Sequence, residues 1–176
     1  MKAALPGWWL FWALTAGAVH AADSRPTRLD HRGAVGGFVA LGGQYVSILN
    51  GGRIVEDGLR VPVTVGFSVA PFESGHELLL AARGSFLNAR PSWAVWAGYR
   101  IFFGQENWKT FLDLGLVSVV RPLFSIGPRI GFGVLYDFVP EVGVYAAAAA
   151  EVGGGAGFRF GADVGIGLQV RTYWLD

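Results

Sequence analysis

The chain has 176 residues, with 14 lysines and arginines against 13 aspartates and glutamates, and its net charge of +1 excludes the basic surface of a polyanion binder. Charged residues make up only 15% and apolar residues 52%, where ordinary soluble domains carry roughly 25% charge, so disorder is excluded and a membrane protein leads. The absence of cysteine excludes disulfides, thiolate metal sites and a lipid-modified N-terminal cysteine.

Residues 1–21 read as a cleaved signal peptide. Met1-Lys2 gives a positive start, Trp8 to Leu14 an apolar core, and Val19-His20-Ala21 the small or modest residues that a signal peptidase reads. The alternative is an uncleaved anchor helix over Ala3 to Ala22, against which Pro6 and Gly7 count. Residues 22–33 are polar and without periodicity, and read as a short disordered lead-in; a second reading has Arg25, Arg28 and Arg32 docking a partner or lipid headgroups.

From residue 34 to 176 the hydrophobic period is two, as in β-strands. The longest apolar run, Val142 to Ala150, is too short for a spanning helix. The first strand, about Val35 to Leu49, alternates too weakly to assign faces. Asn50 to Gly58 reads as a turn, followed by Val61, Val63, Val65, Phe67 and Val69 on one face of the second strand. Leu78, Leu80 and Ala82 oppose Glu77, Leu79, Ala81 and Arg83. Trp93, Val95, Ala97 and Tyr99 oppose Ala94, Trp96, Gly98 and Arg100. Leu112, Leu114 and Leu116 oppose Asp113, Gly115 and Val117, and Ile126, Ile130 and Phe132 oppose Gly127, Arg129 and Gly131. Val142, Val144 and the even-numbered alanines oppose Gly143, Tyr145 and Glu151. The last strand is clearest: Phe158, Phe160, Val164, Ile166 and Leu168 oppose Arg159, Gly161, Asp163, Gly167 and Arg171. Eight strands joined by short turns predict an all-β, antiparallel, up-and-down barrel.

A soluble barrel turns its apolar face inward, whereas lipid demands an apolar exterior and closed edges. Eight strands leave an interior just wide enough for side chains, and the large apolar faces exceed that space. Glycines and a few charges fit it. The expected architecture is therefore a transmembrane β-barrel. Trp93, Phe103, Trp108, Phe111, Phe138, Phe158 and Trp174 lie near strand ends and are expected to form the interface girdles.

On these residues the chain from about Val35 to Asp176 resembles the small eight-stranded outer-membrane barrels of Gram-negative bacteria. The resemblance implies a cell outer membrane location and contact with outer-membrane lipid. It also implies insertion by machinery that reads a terminal aromatic, here Tyr173-Trp174 displaced by Leu175-Asp176. The family's orientation puts both termini in the periplasm and the turns after strands 1, 3, 5 and 7 outside.

Hairpin arithmetic then predicts a lumenal charge network. Arg100 faces Asp113 in the inner half, and an Arg129–Glu151–Arg159 row forms in the outer half, with Glu151 opposite Arg159 about a turn centred on Gly155. Arg83, Arg121, Asp137, Asp163 and Arg171 complete a lumen with excess positive charge. Such charges need partners, so a salt-bridged plug is expected, with an ion-conducting lumen as the alternative.

Neither a catalytic site nor a cofactor nor a metal site is expected. His20, His31 and His76 lie away from the outer rim, Glu56 and Asp57 read as a solvated pair in the first outward loop, and Gly153 to Gly157 lacks the Lys of a phosphate loop. Two function classes remain: a non-enzymatic anchor, structural or interaction component of the envelope, and a narrow anion-preferring pore. A lipid-modifying enzyme is the third reading. An envelope protein partner or a second copy could sit on the small-residue face of Ala146 to Ala150; no nucleic acid partner is implied.

Overall fold

The computed structural model describes residues 31–71, 75–86, 91–104 and 107–174. The expected signal peptide, the lead-in up to residue 30, and Leu175-Asp176 lie outside the described residues.

Eight strands follow one another in chain order: β1 (Ala34–Asn50), β2 (Arg53–Val69), β3 (Glu77–Phe86), β4 (Ser92–Phe103), β5 (Trp108–Arg121), β6 (Ser125–Val139), β7 (Val142–Gly155) and β8 (Phe158–Tyr173). Each pairs antiparallel with the next, and β1 closes on β8 from Ala34↔Tyr173 to Leu49↔Phe158. Closure satisfies every edge, which hydrocarbon requires. The described chain begins at His31 and ends at Trp174 at one mouth, called here the near mouth; the ends of β1, β3, β5 and β7 and the starts of β2, β4, β6 and β8 ring the far mouth.

The first turn is tighter than its composition suggests. Gly51 and Gly52 both take positive φ, 57° and 77°, and so close a two-residue turn between the partners Asn50 and Arg53. Glu56 and Asp57 therefore stand in β2, opposite Ile48 and Ser47, and not in a loop. Arg60, on the lumenal face of β2, reaches back to Glu56.

The strands point their large apolar side chains outward. Ile166 is 69% exposed, and Val164, Phe132, Ile130, Leu116, Val65 and Leu41 are similarly bare. Phe86, Trp93, Phe124 and Phe158 ring the far end, and Phe103, Trp108, Phe138 and Trp174 the near end, all exposed. This exterior is unsuited to water and matches a bilayer: an apolar band between two aromatic girdles. Phe111 is the exception to the expected girdle. It is 0% exposed, because Asp113 faces inward and the period of two carries Phe111 inward with it.

β1 runs against the simple pattern. Phe38, Val46 and Ile48 face the lumen, while Gly37, Gly43 and Ser47 face out. The interior has room for them because glycine lies across from the large rings. A Cβ on Gly66 would stand 2.5 Å from Phe38, one on Gly133 2.2 Å from Phe111, and one on Gly167 2.4 Å from Tyr145. Phe38, Trp96, Phe111, Leu135 and Tyr145 thus build an apolar waist inside the barrel.

Candidate functional site

The lumen is the chemically distinctive part of the molecule. It holds two layers of ion pairs, one on each side of the aromatic waist.

In the far half, strand parity brings Arg83 (β3), Arg129 (β6), Glu151 (β7), Arg159 and Asp163 (β8) together. Glu151 accepts from Arg83 at 2.8 Å, from Arg129 at 3.2 Å and from Arg159 at 3.2 Å. Asp163 accepts from Arg129 at 2.6 Å and from Arg83 at 3.1 Å. Gln44 and Ser85 hydrogen-bond at 3.2 Å beside them. Arg129 lies opposite Glu151 in the register. Arg159 does not: it pairs with Gly153, because the turn centres on Ala156, and it reaches Glu151 diagonally.

Arg100 and Asp113 are opposite one another on β4 and β5 and bond twice, at 2.7 and 2.8 Å. This forked geometry is the strongest that a guanidinium offers a carboxylate. The same guanidinium sits 4.0 Å from the Phe111 ring centre, so the pair is packed against the waist. A cavity of about 60 Å³ touches Arg100 and Asp113 on one side and Arg83, Arg129 and Asp163 on the other. Its volume and polar lining suit a few water molecules.

The near mouth is closed by a second cluster. Arg171 (β8) donates to Asp137 (β6) at 2.8 Å and to Glu77 (β3) at 3.2 Å. Lys109 (β5) also donates to Asp137. Gln169 (β8) donates to Glu77 at 3.0 Å and to Ser68 at 3.1 Å. His31, expected in a disordered lead-in, is 2% exposed and lies between the two carboxylates, 3.0 Å from Asp137 and 3.2 Å from Glu77. Its ring meets Phe102 edge-on at 4.5 Å, and the chain turns there, with Gly33 donating to the Ala70 carbonyl. The polarity that marks residues 22–33 as solvated ends in a residue that seals the barrel.

Nine of the ten residues expected in the lumen lie there; Arg121 does not. A register shift at Trp93/Ala94 sets Arg121 opposite Trp93 on the exposed face, at the end of β5 where an arginine reaches water. Gln44, Arg60, Glu77, Lys109, Gln169 and His31 are among the lumenal residues that the expected network omitted. Parity carried back from Asp113 gives Lys109, and the β3 alternation gives Glu77; nothing in the pattern gives His31. Of the histidines, His31 is committed to its carboxylates and His76 accepts from the Phe102 amide through Nδ1 at 3.3 Å.

Neither a protein-family model nor a curated protein sequence matches the chain. Solved structures with the same fold include the Neisserial surface protein A, at 14% identity and a TM-score of 0.55 over 80% of this chain and all of that one. The N-terminal barrel domain of Pseudomonas aeruginosa OprF matches at 15% identity and a TM-score of 0.56, over 78% of this chain and 98% of the domain. A de novo designed transmembrane barrel matches at 18% identity and a TM-score of 0.50, over 80% and 97% of the two chains. At such identities the likeness is one of architecture. With the lipid-facing exterior and the charged lumen, it makes this chain a small eight-stranded transmembrane barrel of the outer-membrane kind.

Proposed function

We propose that the protein is a non-conducting, non-enzymatic barrel of the outer membrane, serving as an anchor or interaction component of the cell envelope. The observation that carries this reading is the double closure of the lumen. The near mouth is filled by His31, Lys109, Arg171, Glu77 and Asp137, and the far half by Arg83, Arg129, Arg159, Glu151 and Asp163. Opening a path requires breaking buried ion pairs in both layers, each costing about 3–5 kcal/mol when one partner is removed. In this reading residues 1–21 direct export, the near mouth faces the periplasm, and the terminal Tyr173-Trp174 presents the aromatic signal for insertion. Lipid acyl chains cover the apolar band, and partners meet the protein outside the lumen.

Planar-bilayer recording of the purified protein tests the proposal. The expected result is a silent membrane from pH 5 to 8. A steady, anion-selective current would sink it in favour of a narrow pore lined by arginine.

A further inference from the structure

We infer that the far half of the lumen binds a small inorganic anion between Arg159 and Arg60. The two arginines reach the lumen from either side of β1: Arg159 on β8 pairs with Ile48, and Arg60 on β2 pairs with Gln44. Both are deeply buried, at 2% and 4% exposure. Their N–H groups are not all met. Arg159 Nε and Nη1 and Arg60 Nη1 are buried without an acceptor. Among the described residues, Arg159 has only Glu151, already shared with Arg83 and Arg129, and Arg60 has only Glu56.

The charge balance points the same way. Arg60, Arg83, Arg129 and Arg159 are four cations, and Glu56, Glu151 and Asp163 are three anions among the described residues of this half. Arg60 feels the repulsion of both Arg159 and Arg83. A buried guanidinium in excess costs several kcal/mol. Water satisfies an N–H but leaves that charge, whereas one monovalent anion satisfies both at once. The near mouth differs. Arg171 Nη2 also lacks an acceptor there, but Arg171 and Lys109 face two carboxylates, Glu77 and Asp137, so no cation is left over. A halide or a single small oxyanion therefore fits the far site, entering from the far mouth. Its binding does not depend on whether the lumen conducts.

Bromide tests the site. The purified full-length protein is folded in detergent micelles, and sodium bromide replaces sodium gluconate at constant ionic strength while thermal unfolding is followed by tryptophan fluorescence. The unfolding temperature of the wild type is expected to rise with bromide and saturate. Arg159→Gln loses the response, and Arg121→Gln, which alters an exposed arginine, keeps it. A flat wild-type curve, or a full response in Arg159→Gln, overturns the site. Should Arg159→Gln fail to fold, anomalous scattering from wild-type crystals grown in bromide decides: a peak beside Arg159 Nε supports the site, and its absence overturns it.

Discussion

The two charged layers solve the same problem in different ways. At the near mouth two carboxylates, Glu77 and Asp137, are bridged by one arginine, and a lysine, a histidine and a glutamine complete their contacts. In the far half three arginines converge on Glu151 alone, and two of them share Asp163. The near layer is balanced and ties His31 into a network drawn from β3, β5, β6 and β8. The far layer is cation-rich, and Glu151 is the one carboxylate that Arg83, Arg129 and Arg159 all share. A buried network is only as secure as its least replaceable member, and the layers differ in which member that is.

Glu151→Gln should be the most damaging change, because Arg83, Arg129 and Arg159 then lose their common partner. A loss of about 5 kcal/mol is expected in urea unfolding of the folded barrel. If Asp137→Asn costs more, the ranking of the layers is reversed. Arg171→Gln should follow, at about 3 kcal/mol, since Glu77 and Asp137 keep His31 and Lys109 but lose their bridge. Heat-modifiable gel migration at a lower temperature than wild type checks it. His31→Ala removes contacts to both carboxylates without stranding either, and should cost about 1–2 kcal/mol. Faster amide exchange confined to residues 31–34 and the β2–β3 turn would locate that effect. Arg159→Gln is expected to be the mildest, within about 1 kcal/mol of wild type in chloride-free buffer, because it removes a cation that the site has in excess. An Arg159→Gln loss as large as that of Arg171→Gln would erase the contrast.

Legibility in the sequence followed the strictness of alternation. β8 and β6 place charges and glycines against an unbroken apolar face, so their facing, and through it Asp163, Arg171, Arg129 and Asp137, could be read directly. β1 could not be read, because a barrel of this width admits large rings wherever the opposite strand supplies glycine, as Gly66 does for Phe38. The same exchange hid Phe111, whose aromatic character suggested a girdle although its parity pointed inward. Arg121 was misplaced by a shift of register that no pattern of period two records. His31 precedes the first strand, where there is no alternation to extend. Its position is set by partners more than 40 residues away in the chain, a long-range relation that local sequence does not carry.

Arg83 and Glu151 sit on β3 and β7, on opposite walls, and the same is true of Glu77 on β3 and Arg171 on β8 across the seam. Arg83 and Arg171 meet their carboxylates on non-adjacent strands, so a partly assembled sheet would have to carry these two cations bare through hydrocarbon. Biogenesis must then deliver the wall nearly complete, with the seam zipping shut as the polar filling neutralises itself. His31, which touches Glu77 on β3, Phe102 on β4 and Asp137 on β6, can engage only once those strands stand together, and so acts as the clasp.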